Sequence, residues 1–581
     1  MPLFEFEDHE ALGNVKSVDT ASVVVSVANL DLLRKLQVNR LVALQSSKPG
    51  QHLIGIVQRI TRNAADPLPT EDEEADEGET TGEINLVRIA LIGTLIDRVG
   101  TAGTNVFRRT LETVPEIAAN CFSIEGQRLT DFMRAISQLS NAEGQRLSLG
   151  HYTLDDDAET FLNGNKFFQR HALIVGSTGS GKSWTTARVL EQVASLPNAN
   201  AIVFDIHGEY KTLSGPGIRH FRVAGPGDLG SGESLDAGVV YLPYWLLGYE
   251  DMIDMLLDRS DQNAPNQAMV FSRTVVDVKK AYLEQHGLGD VLDNFTIDSP
   301  VPYSLRSVVS QLNALNVEMV ESTRGQKQGD FYGKLSRFIA RLENKLADRR
   351  LGFMFAGPAE TEDYDWLPKL AKSIMAGTRD QDDSRGGVKV LDFSEVPSDV
   401  LPVIVSLVAR LVFYVQQWTP REHRHPIALF CDEAHLYIPE SSEGGTDDAA
   451  VRTFTRIAKE GRKYGVGLVV ISQRPSEVNR TVLSQCNNVV AMRLTNAEDQ
   501  SVVRRLLPDS LGGFSDLLPI LDIGEALVVG DASLLPSRVR IEEPTCKPDS
   551  GTIDFWDLWA SDSKAEAISE AVTAWRKQSL K

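Results

Sequence analysis

Residues Gly176 to Ser183 read Gly-Ser-Thr-Gly-Ser-Gly-Lys-Ser and fit the spacing G-x-x-x-x-G-K-[ST]. The apolar run His171 to Val175 before them reads as a buried strand, and the stretch Lys182 to Val193 after them reads as a helix. Strand, glycine loop and helix in that order form an anion cradle, with backbone N–H groups pointing at phosphates. The pattern restricts the chain to an α/β fold and makes it a nucleotide binder. The cradle comprises Gly176, Ser177, Thr178, Gly179, Ser180, Gly181, Lys182, Ser183 and the following Trp184. Lys182 is placed to reach the β/γ-phosphates of ATP, and the Ser183 hydroxyl to bind Mg²⁺. A Gly/Ser-rich turn that matches by chance is the bland alternative, and the flanking strand and helix weigh against it.

The rest of the chain is read around that cradle. Its 581 residues allow several domains. A net charge of −21 excludes a general basic coat, so any nucleic-acid contact must be confined to a loop or channel lining. Cys121, Cys431, Cys486 and Cys546 are widely spaced and form no C-x-x-C, which points to reduced thiols in the cytoplasm. The acidic N-terminus has no signal-peptide pattern. The most apolar stretch, Leu401 to Val415, is interrupted by Arg410 and reads as a buried core helix that does not span a membrane.

Residues 1–150 begin with short apolar runs separated by turn residues (Ser22 to Val27, Asn39 to Leu44, His52 to Val57, Ile84 to Leu95), the pattern of a small β-barrel with a connector. An acidic run from Asp66 to Gly82 reads as a solvated loop. From His171 strands alternate with helices, which implies a mostly parallel sheet. Candidate strands are Ala201 to Ile206, Val388 to Phe393, Ile427 to Cys431, Gly467 to Ser472 and Asn488 to Leu494, then Ala526 to Gly530 and Arg538 to Glu542. The expected organisation is a RecA-like P-loop core in two parts, 151–225 and 386–545. A helical insertion at 226–385 interrupts it, and a tail at 546–581 ends in a helix from about Ser563 to Ser579.

The run Ile427 to His435 is an apolar strand ending in Asp432-Glu433. Asp432 is the candidate Mg²⁺ ligand and Glu433 the candidate base for the attacking water. Gln473, at the end of the strand reading Val469-Val470-Ile471-Ser472, is a candidate γ-phosphate sensor; a simple turn residue before Pro475 is the alternative. Arg452, Arg456, Lys459 and Lys463 recur at steps of 4, 3 and 4 and share one helix face. Arg462 falls just off that face and is a candidate arginine finger.

Taken in order, the P-loop, Phe204-Asp205-Ile206-His207-Gly208-Glu209-Tyr210, Leu242-Pro243-Tyr244-Trp245-Leu246, Asp432-Glu433-Ala434-His435, Glu460-Gly461-Arg462-Lys463-Tyr464-Gly465 and Ser472-Gln473-Arg474-Pro475 resemble the HerA-type ATPases of the HerA/FtsK superfamily. The resemblance covers nearly the whole chain. It implies a homohexameric ring that moves along double-stranded DNA held in its central channel, with ATP bound between subunits. It makes Arg462 the trans-acting finger and Arg170 a second arginine near the nucleotide, and it adds Asp205 and Glu209 as an acidic strand-end motif. It also implies a partner, a nuclease or a sirtuin-type NAD-consuming effector, in bacterial antiphage defence. No nuclease signature is present in the chain itself. A scaffold NTPase ring that organises a partner without processive movement is the competing reading.

Two loops are candidates for the DNA contact. Ser322 to Gly329 carries Arg324 and Lys327 among small residues, suited to sequence-independent phosphate contact. Ser441 to Asp448 carries Glu443, Asp447 and Asp448, which repel phosphate. The first is preferred.

Overall fold

The computed structural model describes residues 3–19, 22–64, 83–96, 106–140, 146–230, 232–322, 325–375, 387–440, 446–507, 512–551, 553–560 and 567–577. The acidic run at 66–82, the segment 441–445 and Arg324 lie outside the described residues. The chain forms two compact units. The first is Met1–Val189 with Gln473–Ser476 and Cys486–Thr545; the second is Leu190–Ser472 with Glu477–Gln485 and Cys546–Lys581.

In the first unit the expected barrel closes. Strands Ser22–Ser26, Gly13–Val18, Asn120–Ser123, Leu41–Gln45, Gln51–Ala64 and Glu83–Ile96 pair in that order, and the last pairs back onto the first, from Ser22 opposite Ala90 to Ser26 opposite Leu86. Period-two alternation explains why it is a barrel with a partner on its flank. Val42, Leu44, Leu53, Val57, Val87 and Ile89 point to one buried cluster. Their neighbours Leu41, Ala43, Ile54 and Ile56 join a second cluster with Phe132 and Ile136 of the helix Gln127–Ser140. Both faces of these strands are therefore apolar. At the register shift between Ile54 and Gly55, a Cβ on Gly55 would lie 2.3 Å from Ile89 Cγ2, so only glycine fits.

The same unit carries a six-stranded sheet ordered Ala172–Val175, Asn488–Ala491, Glu525–Gly530, Ser537–Ile541, Arg146–Tyr152 and Asp155–Asn163. Ala172–Val175 and Asn488–Ala491 are parallel, and the remaining pairs are antiparallel. Asn488 knots this sheet together. Buried at 2 % exposure, it donates from Nδ2 to the carbonyls of Lys166 (3.0 Å), His171 (3.0 Å) and Phe167 (3.3 Å), and its Oδ1 accepts from Ala532 N–H (2.7 Å).

The second unit is built on a fully parallel sheet ordered Val239–Val240, Ile218–Val223, Gly387–Asp392, Asn200–Asp205, Ile427–Cys431 and Val466–Ser472. Its central strands are buried on both faces and accordingly read as continuous Val/Ile/Leu/Phe runs. Two of its strands escape the sequence reading. Ile218–Val223 is interrupted by Arg219, His220 and Arg222, and Val239–Val240 is only two residues long and lies inside the segment read as helical. That segment also contains the exposed hairpin Met319–Ser322/Gly325–Gln328. Its helices Ala264–Gln285, Leu305–Asn316 and Ser336–Ala347 bury one apolar face each, with Phe271 and Phe338 packed edge to face at 5.5 Å.

The apolar helix runs Leu401–Trp418, longer than the expected Leu401 to Val415. By length and mean hydropathy of 1.4 it qualifies as a membrane span, yet 72 % of it is buried inside the protein. Arg410 on this helix pairs with the buried Asp251, which removes the cost of its charge. Phe413 packs edge-on to Tyr464 at 5.4 Å. The tail helix is Ala567–Lys577, shorter than the expected 563–579 because 563–566 and 578–579 lie outside the described residues. Cys121, Cys431, Cys486 and Cys546 are all free thiols.

Candidate functional site

In the first unit the strand Ala172–Val175 is wholly buried and delivers the chain into Gly176. The loop then bends in ways that require its glycines. Gly179 and Gly181 have φ of +74° and +104°, in the left-handed region that disfavours side chains. Ser180 N–H closes a turn onto the Ser177 carbonyl at 3.1 Å. The helix Lys182–Ser195 starts directly afterwards with no acidic residue in its first turn, so its positive N-terminal end is not neutralised from within. Lys182 and Ser183 are 5 % and 8 % exposed, and Trp184 is half-buried. The Ser180 hydroxyl is buried and has no hydrogen-bond partner among the described residues. Left-handed glycines, an uncompensated helix N-terminus, a buried lysine and an unsatisfied hydroxyl fit a polyphosphate.

The cradle is held from one side. Ser177 N–H donates to the Arg493 carbonyl (2.8 Å), Thr495 N–H donates to Ser177 Oγ (3.3 Å), and Gly524 N–H donates to the Ser180 carbonyl (3.0 Å). A Cβ on Gly181 would stand 2.9 Å from Met492 Cε. Gln473 belongs to this unit and meets the loop, where Thr178 Oγ1 donates to Gln473 Oε1 at 2.5 Å. Arg170 caps the helix Gly164–Gln169 and pairs with Asp531 at 3.2 Å.

In the second unit, three neighbouring parallel strands end in aspartate. Asp205 lies opposite Asp392, and Phe204 opposite Cys431 puts Asp432 one step on. The carboxyl ends of parallel strands are where α/β sheets bind ligands. Asp205 is fully buried and accepts N–H bonds from Glu209 (2.9 Å) and Tyr210 (3.0 Å), which fold the chain back and place Glu209 beside it. Burial, reinforced by Asp432 and Asp392, pushes the Asp205 carboxyl up to about 7 against the pull of those two bonds. Asp432 and Glu433 are 0 % and 2 % exposed. Glu433 has φ +45°, a left-handed conformation unusual for a residue with a side chain, and its carboxylate lies 3.4 Å from His435 Nδ1. That imidazole nitrogen is also 3.3 Å from Ser472 Oγ.

Arg462 lies near the end of the helix Thr446–Tyr464, is exposed, and has no carboxylate partner among the described residues. The adjoining stripe is partly engaged. Arg452 pairs with Glu250 (3.1 Å) and Asp254 (3.7 Å), and Arg456 lies over the Phe413 and Tyr414 rings at 5.0 and 5.4 Å. Lys459 and Lys463 are exposed. Lys327 sits on the fully exposed strand Gly325–Gln328. No cluster of three His, Cys, Asp or Glu residues suited to a metal ion occurs among the described residues.

Residues 147–412 match the family described as "Helicase HerA, central domain". The chain is an ATPase built around a HerA-type central domain. The family match takes in the P-loop and the Asp205–Glu209 turn and stops before Asp432. Related sequences include a probable helicase of Methanocaldococcus jannaschii, 25 % identical over 422 residues (72 % of this chain, 71 % of that protein). Another is the DNA double-strand break repair helicase HerA of Pyrococcus furiosus, 25 % identical over 431 residues (68 % and 69 %). Among solved structures, the plasmid coupling protein TrwB in complex with ADP and Mg²⁺ is similar at a TM-score of 0.44 and 13 % identity, covering 71 % of this chain and 94 % of that one. In this ATPase, three features lie beyond the motif reading: the Glu433–His435–Ser472 contact, the Thr178–Gln473 bond and the Asn488 knot. The first two join residues that the motifs already name, so polar residues at strand ends were the available signal. A buried Asn within an apolar strand gives no such signal.

Proposed function

We propose that this ATPase is the subunit of a homohexameric ring that moves along double-stranded DNA and drives a partner nuclease or NAD-consuming effector in antiphage defence. The cradle at Gly176–Ser183, lying inside the HerA central-domain match, carries the reading. Lys182 would hold the β/γ-phosphates of ATP, and Ser183 and Asp432 are the residues that would supply oxygen ligands for Mg²⁺, whose charge would offset that of the phosphates. Glu433 takes the proton of a water that attacks the γ-phosphorus, the bond to the bridging oxygen breaks, and ADP and phosphate leave. Gln473 senses the γ-phosphate. Arg462 completes the site of the next subunit, a role supported by its exposure and by the lack of a carboxylate partner among the described residues of its own chain. Arg170 acts near the nucleotide, and Asp205 with Glu209 shapes the acidic side.

Duplex phosphate contact falls to Arg324 and Lys327 of the 322–329 segment, two cations on a chain of net charge −21. The test is ATP turnover with and without duplex DNA, for the wild type and for Arg324→Ala/Lys327→Ala at several salt concentrations. DNA should stimulate turnover. The double variant should lose stimulation and flatten the salt dependence of binding, while basal turnover and hexamer mass stay unchanged. Turnover indifferent to DNA would leave the scaffold ring as the function.

A further inference from the structure

Ile520 and Ile523 are 68 % and 69 % exposed. A single exposed isoleucine is ordinary, but these two sit on one loop that is otherwise held firmly in place. Leu518 and Leu521 are buried, and the Leu518 carbonyl accepts from Leu494 N–H at 3.0 Å. The buried Glu525 ties the loop from below. Its Oε2 accepts from Asp522 N–H (3.2 Å) and Arg538 Nη2 (2.6 Å), and its Oε1 from Arg540 Nη2 (3.3 Å). Gly524 N–H donates to the Ser180 carbonyl of the phosphate cradle, and the Gly524 carbonyl accepts from Ile541 N–H at 2.8 Å. The cradle thus has two distinct sides. On one, Thr178 meets Gln473. On the other, a Cβ on Gly181 would stand 3.4 Å from Gly524 Cα. Gly524 itself has φ +78°, and a Cβ there would meet no described atom within 4 Å, so the space beside that edge is open. A nucleotide whose γ-phosphate lies toward Gln473 runs its nucleoside out past this opposite edge, over the loop of the two isoleucines.

We propose that Ile520 and Ile523 form an apolar platform for the adenine base of bound ATP. The proposal rests on the reading of the cradle as an ATP site with its γ-phosphate end at Gln473. The flat face of a purine and the two isoleucines leave water together when they meet, and a loop already fixed by its bonds loses little freedom on binding.

The experiment compares two probes on the full-length protein by isothermal titration with Mg²⁺ present: ADP, which carries the base, and inorganic pyrophosphate, which does not. The variants are Ile520→Ser, Ile523→Ser, the double serine variant and Ile520→Leu/Ile523→Leu. Both positions are exposed, so serine there should leave the fold intact. The Kd for ADP should rise about fivefold in each single variant, the worth of covering roughly half an isoleucine side chain, and about ten- to thirtyfold in the double. Pyrophosphate should bind every variant within about twofold of wild type, and the leucine pair should hold ADP within about twofold. Native mass spectrometry of the same samples should show one unchanged oligomer. An ADP affinity unmoved in the double serine variant would overturn the proposal, as would an equal loss for pyrophosphate, which would mean a distorted cradle. Loss of the oligomer would overturn it too, and assign the isoleucines to a contact between copies of the chain. A wild type that binds neither probe would instead remove the ATP reading of the cradle, and the platform with it.

Discussion

Replacing Asn488 by alanine isolates what holds the nucleotide loop's strand in place. The side chain makes four contacts, and they are not equivalent. The Lys166 carbonyl also accepts from Arg170 N–H at 3.1 Å, and the His171 carbonyl also accepts from Asn488 N–H at 3.3 Å, so both keep a partner in the variant. Ala532 N–H, which gives its hydrogen bond to Oδ1 at 2.7 Å, does not. An orphaned buried donor costs about 1–3 kcal/mol, and the small cavity adds about 1 kcal/mol, for a total of about 2–4 kcal/mol. For a unit of this size that corresponds to a fall in Tm of roughly 4–16 °C. Calorimetry or circular dichroism of the nucleotide-free protein reads it. Asn488→Asp supplies the internal control. It keeps the acceptor for Ala532 but turns a carboxylate toward the carbonyls of Lys166, Phe167 and His171, and so must be worse than alanine. An alanine variant within about 1 °C of wild type, or an aspartate variant milder than alanine, would refute the reasoning.

Lys182→Ala should weaken nucleotide binding and turnover together, whereas Glu433→Gln should bind ATP and fail to turn it over; isothermal titration beside a phosphate-release assay separates the two, and near-normal release by Glu433→Gln would remove it as the base. Mixing Arg462→Ala subunits with Glu433→Gln subunits should restore part of the turnover, since some interfaces regain both groups; mixed rings without recovery would rule out a finger acting in trans. Lys389, buried in the parallel sheet with Nζ 2.8 Å from Asn200 Oδ1, is pushed down to about 7 chiefly by burial and further by Arg219. The folded state therefore binds fewer protons than the unfolded one between pH 7 and the ordinary lysine range, and the native lysine loses stability as pH falls across that window. Lys389→Met should gain on wild type by at most about 1.4 kcal/mol per pH unit from pH 9 to 7, measured by denaturant unfolding, and a pH-independent difference would show that the amine is charged in the fold.

The strand–loop–helix at His171 to Val193 was legible because each of its parts has its own signal: apolar period, glycine spacing and helical pattern. The parallel strands Asn200–Asp205, Gly387–Asp392, Ile427–Cys431 and Val466–Ser472 were legible within a residue or two, since burial on both faces leaves continuous apolar runs. The antiparallel strands Arg146–Tyr152 and Asp155–Asn163 were not. Asp155, Asp156, Asp157 and Glu159 give the second a loop-like composition, and only partners distant in sequence make it a strand. Within the site, residue identity was readable from the motifs and conformation was not. Nothing in the sequence marks Glu433 as left-handed, because the turn that imposes it is closed by Leu436 N–H bonding back to the Glu433 carbonyl at 2.9 Å.

The helix Leu401–Trp418 has a consequence for how the protein is made. Asp251, the partner of Arg410, precedes it by 159 residues and is already available when the helix leaves the ribosome. Tyr464 and Arg456, which pack on Phe413, are not. The 46 residues from Trp418 to Tyr464 take about 2–9 s to synthesise at typical rates of about 5–20 residues per second. During that interval an 18-residue segment apolar enough for a bilayer stands without one of its covers. Nascent chains of this protein therefore carry a membrane-like sequence before all the side chains that bury it exist, while Asp251, made earlier, is available to pair with Arg410.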